Sequence, residues 1–255
     1  MNILDITIEC IYNGLYNHKP ENDEKGADMP LLRLLDLKKD YEVGDTVVQA
    51  LRGVSTEMEK GEFTAIAGPS GSGKSTLLNL IGCLDKPTAG KVFIDEVDIS
   101  QYSKKELANI RREKIGFVFQ TFNLIPILTA YENVAFPLSL LRKNADEIER
   151  NVNGILDDVG LSGMEHRYPR ELSGGQQQRV AVARALVKEP SIILADEPTA
   201  NLDSVTGGEI LDLMKDLNEK KEATFIFSTH DPMVIERANR VIYLHDGQIH
   251  SDEKK

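Results

Sequence analysis

An α/β fold organised around a buried parallel sheet is predicted by three features of this chain. Strand-like and helix-like stretches alternate from Leu31 onward. Ser191–Ala195 and Ala223–Phe227 are unbroken apolar runs of the kind that fill strands covered on both faces. Phe63–Ala67, rich in strand formers, runs into a glycine-rich loop and then into the helix-forming stretch Thr76–Ile81.

The remaining elements follow in order. Residues 1–30 carry scattered apolar residues and then a polar, acidic, proline-containing stretch, and are expected to form an extension or linker outside the main fold. Leu31–Leu37 and Thr46–Leu51 are expected strands, and Lys91–Ile94 a short one. Glu106–Lys114 has a helical composition, and Ile115–Phe119 reads as a strand. Asn144–Gly160 is an amphipathic helix, with Ile148, Val152, Ile155, Leu156 and Val159 on one face. Asn144 is its expected N-cap, with Glu147 three residues on, and Gly160 its C-terminal cap. Gln177–Val187 is a further helix. Arg240–Leu244 and Gln248–Ile249 flank Asp246-Gly247, a hairpin signal.

A net charge of −11 disfavours nucleic acid as the main partner, because such binding is driven by Lys and Arg against phosphates. No run of apolar residues is long enough to span a membrane. Asp5 and Glu9 stand where a secretory signal carries positive charge, so the expected location is cytoplasmic. Cys10 and Cys83 form no metal or redox spacing and are expected to be free thiols.

Three motifs carry chemistry. Gly68-Pro69-Ser70-Gly71-Ser72-Gly73-Lys74-Ser75-Thr76 fits a phosphate-binding loop: backbone N–H groups point inward, Lys74 reaches the β- and γ-phosphates, and Ser75 offers a hydroxyl to Mg2+. The apolar strand ending at Asp196 and Glu197 places one carboxylate to support that cation and the next to orient and deprotonate a water. Ser173-Gly174-Gly175-Gln176 opens a helix, with Ser173 as its cap and two glycines whose amides are open to an anion. Two anion sites in one chain suggest that the second serves a nucleotide held by another copy.

In this order the motifs resemble the nucleotide-binding subunits of ABC transporters, over about Leu31 to the C-terminus. The resemblance implies a P-loop NTPase (RecA-like) core, a small antiparallel β subdomain and an inserted helical subdomain over about residues 121–172. It implies that Gln120 approaches Mg2+ and the attacking water, that His230 contacts the γ-phosphate, that Asp203 closes the loop Ala200–Asp203 toward ATP of the partner copy, and that Tyr41 stacks on adenine. Ser173–Gln176 would contact ATP in trans. ATP and Mg2+ are thus the implied ligands, an ATP-dependent homodimer and integral-membrane permease subunits the implied partners, and the cytoplasmic face of the membrane the implied location. Ile81–Pro87 and Gly116–Pro126 look like the branch serving lipoprotein release, macrolide and peptide export and cell division, leaving export and force transmission both open. The chain departs from that branch in residues 1–30, which have no counterpart, and in Ala200, where Gly is frequent. No regulatory domain is expected after Ile249. A soluble ATPase acting on ribosomes or DNA is the competing class; the single cassette, the lack of a long coiled coil and the acidic charge weigh against it. Phe122, Leu124, Ile125, Ile127, Leu128 and Phe136 are expected mostly to pack the helical subdomain, with some forming a groove for a permease helix.

Overall fold

A computed structural model of the chain describes residues 29–255; most of the expected N-terminal extension, with Cys10, lies outside them. Two sheets are present. Strands β1 (Leu32–Val43), β2 (Thr46–Met58), β4 (Ala89–Ile94) and β5 (Val97–Asp98) form an antiparallel sheet in the order β2-β1-β4-β5. Strands β3 (Phe63–Ala67), β6 (Ile115–Phe119), β7 (Ile192–Asp196), β8 (Thr224–Thr229), β9 (Arg240–His245) and β10 (Gln248–Lys254) form the second, in the order β10-β9-β3-β8-β7-β6. Its strands run parallel except for β10, which returns antiparallel to β9.

The helices are α1 (Lys74–Ile81), α2 (Lys104–Lys114), α3 (Ala130–Leu140), α4 (Ala145–Asp158), α5 (Gly174–Leu186), α6 (Ser204–Lys221) and α7 (Pro232–Arg237). Successive side chains of a strand point to opposite faces, and both faces of the parallel sheet are covered. Phe63, Ile193, Phe225 and Phe227 join one core with residues of α3 to α7. Ile66, Ile192, Leu194 and Ile226 join the other, with α1 and the antiparallel sheet. Burial on both sides explains why these strands read as unbroken apolar runs.

Several boundaries differ from the sequence expectation. β1 and β2 run well past Leu37 and Leu51, because ladder hydrogen bonds, not apolar side chains, carry the exposed end of the hairpin. The helix after Ser173 starts at once, at Gly174 rather than at Gln177. Asn144 caps α4 through Glu147 N–H at 2.9 Å. Beyond α4, Gly160 (φ 70°) donates to Asp157 O and Leu161 donates to Leu156 O, a Schellman ending. The expectation for the apolar residues after Thr121 is corrected. Of the six, only Leu124 packs against the core, while Ile127 and Phe136 are exposed. The buried wall of that region is instead Val134, Leu138, Val152 and Leu156.

Candidate active site

Register brings the site together. Ala67 stands opposite Thr229, Ser228 opposite Asp196, and Asp196 opposite Phe119. Parallel strands end at the same edge, so the loop after β3, Gln120 after β6, Glu197 after β7 and His230 after β8 emerge side by side, where open α/β sheets bind ligands. They line one cleft of about 560 Å3, with Ser70, Gly71, Gly73, Lys74, Ser75 and Thr76 on its floor and Gln120, Asp196, Glu197 and His230 along its wall.

The loop needs its glycines for space. Gly68 has φ 155°, and a Cβ there would lie 2.1 Å from Leu244 O. Gly73, the N-cap of α1, has φ 103° and would meet Ala50 O at 2.6 Å. The lysine is held inside the loop: Lys74 Nζ donates to Gly68 O (2.8 Å) and Pro69 O (3.0 Å). Ser72 Oγ is buried without a partner. The amides of the first turn of α1 have no acceptor within the helix. A cradle of this kind, with a cation and unsatisfied amides, suits phosphate oxygens.

Glu197 is held at the opposite wall in a left-handed conformation, φ 47°. Its N–H donates to Ser228 O, Thr229 Oγ donates to its Oε2 (3.1 Å), and His230 Nδ1 lies 2.6 Å from its Oε1. Thr229 in turn accepts from Asp231 N–H, and Asp231 accepts from Thr199 Oγ. The donor set for a cation is sparse: Ser75 hydroxyl, Asp196 carboxylate and Gln120 amide. That set fits Mg2+, which keeps few protein ligands beside substrate phosphates, better than an all-protein cage. No cluster of three or more His, Cys, Asp or Glu that could hold a metal is found among the described residues.

The family model described as "ABC transporter" matches residues 51–200. The ATP-binding protein MJ0796 of Methanocaldococcus jannaschii is 49% identical over 88% of this chain and 97% of its own length. A dimeric structure of MJ0796 bound to ADP and Pi aligns with TM-score 0.80 at 48% identity, covering 88% of this chain and 98% of that one. The chain belongs to the ABC transporter ATP-binding family. That family consists of ATPases, and the sheets and helices above have its fold. A macrolide export ATP-binding/permease protein, MacB of Syntrophobacter fumaroxidans, is 46% identical over 87% of this chain, but the match spans only 31% of the relative.

The other expected residues of the cassette lie apart from this cleft. Ser173 caps α5, accepting from Gln176 N–H, while Gln176 Oε1 accepts from Ser173 N–H. Asp203 caps α6 through Val205 and Thr206 N–H, bonds that hold its carboxyl below the usual range. The two helix starts adjoin, since a Cβ on Gly175 would meet Thr206 at 2.5 Å. Neither lines the P-loop cleft of its own chain. Tyr41 is also outside the lining: its hydroxyl donates to Asp85 Oδ2 (3.0 Å), and Lys39 Nζ stands 4.8 Å from its ring centre. Burial and the Asp85 bond push that phenol up.

Sequence reading missed part of the wall. Val48, Gln49, Ala50 and Arg52 of β2 and the Asp246-Gly247 turn line the cleft. Gly247 N–H donates to Ser72 O, and Arg52 N–H donates to Gly247 O, so the hairpin braces the loop. Asn201 was also missed as a link, donating to Gln120 O at 2.9 Å.

Proposed function

We propose that this chain is the ATP-hydrolysing subunit of an ABC transporter in which two copies, head to tail, enclose two ATP. The observation that carries the reading is the split of anion sites. The P-loop lies in one cleft, while the Ser173–Gln176 helix start and Asp203 share another surface that the same chain's nucleotide cannot reach. A partner copy brings the two together. The dimeric MJ0796 structure supports this arrangement.

Within each site, Gly68 to Thr76 bind the phosphates, Tyr41 lies against adenine, and Ser75, Gln120 and Asp196 hold Mg2+. When bound, that ion offsets charge on the β- and γ-phosphate oxygens. Glu197 takes a proton from water as its oxygen bonds to the γ-phosphorus; the bond to the β–γ bridging oxygen breaks, giving ADP and phosphate. His230 steadies Glu197 and meets the γ-phosphate. Ser173 to Gln176 and Asp203 meet the ATP of the partner copy. Residues 31–255 act as the nucleotide-binding domain, with the helical subdomain over about 121–172, and residues 1–30 as an extension.

The output is export, lipoprotein release or transmembrane force transmission through a permease, with the chain peripheral on the cytoplasmic face. Two observations favour a membrane partner. No described helix is long and apolar enough to cross a membrane. Curated relatives named ATP-binding/permease proteins exceed the match about threefold in length.

Tagged Glu197→Gln protein, captured from detergent-solubilised membranes in ATP, tests this. A few-span permease with a large outer domain supports the reading. A many-span importer would replace the branch, and capture with ribosomes or DNA alone would sink the transporter role. A monomer in ATP by sedimentation would sink the two-copy site.

A further inference from the structure

A second cavity, of about 460 Å3, opens on the far side of the helical region from the P-loop. Its apolar wall comes from Phe117 and Phe119 of the edge strand β6 and from Pro137 and Leu140 of α3. The two phenyl rings stack at 5.5 Å with an interplanar angle of 1°, and Leu140 is 51% exposed. Nothing in the chain covers this wall.

Its charged lining has one sign. Arg111 and Arg112 enter from α2, Arg184 from α5 and Lys188 from just beyond it, with no acidic residue in the lining. This is notable in a chain of net charge −11. Three of the four are tied only to backbone carbonyls: Arg111 donates to Cys83 O, Arg184 to Phe122 O and Asn123 O, and Lys188 to Arg111 O and Arg112 O. Arg112 has Glu113 at 3.5 Å, an exposed and long contact. Carbonyls satisfy the N–H donors but leave the positive charge unbalanced. Burial, with Arg111 nearby, drives the Lys188 amine down to about 8.

The groove also adjoins the hydrolytic cleft. Phe119 directly precedes Gln120. Arg184 grips Phe122 and Asn123, two successive non-glycine residues at φ 58° and 49°. Such a conformation persists only where surroundings hold it.

We propose that this groove receives a short segment of the membrane partner that presents a carboxylate to the Arg111–Arg112–Arg184–Lys188 cluster while its apolar side lies on Phe117, Phe119 and Leu140. This deepens the proposed transporter role and rests on it. Charge complementarity selects the occupant: an apolar helix alone would leave four cations desolvated and unpaired, which is costly. Drawing on Arg184 would also shift the loop that carries Gln120.

The test uses the tagged full chain with a photo-reactive residue in place of Leu140, illuminated in membranes, and the attached peptide identified by mass spectrometry. The expected product is a cytoplasmic segment of a membrane-spanning protein containing Asp or Glu. Arg112→Glu should lower its yield about tenfold or more, since a charge pair replaced by a repulsion costs over 1.4 kcal/mol. Lys placed at that acidic position of the partner should restore it. Lys188→Met, checked by thermal unfolding, gives the same reading should Arg112→Glu unfold. A product with a second copy of the chain, with a soluble protein, or with a segment lacking acids overturns the proposal. So does an unchanged yield, or flotation with phosphatidylglycerol vesicles that Arg112→Glu abolishes. ATP hydrolysis by each isolated variant is read in parallel: its absence in the unsubstituted chain would strike the proposed function itself, while intact hydrolysis with an unaltered cross-link would strike the groove alone.

Discussion

Glu197→Gln removes one proton acceptor and almost nothing else, and the structure says why the variant should stay folded. Thr229 Oγ accepts from Asp231 N–H, so its own hydrogen is directed to Glu197 Oε2. The amide oxygen of a glutamine can take that place. The amide nitrogen then faces His230 Nδ1 at about the observed 2.6 Å, and the imidazole accepts from it by carrying its hydrogen on Nε2. His230 is mostly exposed, so this tautomer leaves no buried group unpaired. Stability should change by less than about 0.5 kcal/mol. Turnover should fall by about 10²–10⁴-fold, the usual contribution of a positioned general base. That corresponds to about 3–5 kcal/mol in the barrier. Phosphate release, nucleotide affinity and thermal unfolding measured on the same preparation separate the effects. Hydrolysis within about threefold of the parent at unchanged affinity would refute the assignment of Glu197 as base.

Three further outcomes are expected. Lys74→Ala should weaken ATP binding by about tenfold or more in a calorimetric titration, because it removes a charge from the loop floor; unchanged affinity would sink the phosphate site. Asn133 is fully buried, accepts from Ile125 N–H and donates toward Ile125 O, Leu128 O and Thr129 O, so Asn133→Ala should cost about 2–4 kcal/mol in a urea melt. The Arg240 guanidinium beside Asp252 lowers that carboxyl's pKa, so its stabilisation is present above an unfolded value of about 3.9 and is lost as pH falls through the lower folded value. Parent and Asp252→Asn should therefore differ in unfolding midpoint near pH 7 and converge below about pH 4; a constant gap would assign the effect to packing instead.

Elements whose physics is local were readable from the chain. Ser173 and Asn144 precede helices with Gln176 and Glu147 three residues on, and both cap as that spacing requires. Helix α3 was not read, although Thr129 and Glu132 form a capping box at its start. Pro137 lies within it, and its exposed Phe136 and Leu140 blur the apolar face. Asp203 and Asp231 were read only for motif position, yet each also caps a helix, so a single carboxylate orders the backbone beside the site.

The wall residues show where sequence reading stops for a physical reason. Arg52 lies in β2, a strand of the other sheet, and Asp246-Gly247 in a hairpin far along the chain; neither bears a phosphate motif. Their place in the cleft depends on two long-range backbone bonds, Gly247 N–H to Ser72 O and Arg52 N–H to Gly247 O. Backbone bonds leave no side-chain signature. Close approach does leave one, at the residue that must give way: Gly247 has φ 75°, and a Cβ there would lie 2.8 Å from Ala50 O. The Asp-Gly pair was read as a turn because it makes one. The same glycine also lets β2 close against the P-loop. One residue type thus serves two constraints, and sequence displays only the nearer. A larger residue at Gly247 would press on the strand that carries Arg52 and loosen the loop beneath Lys74, so nucleotide affinity depends on a turn with no ligand-facing group of its own.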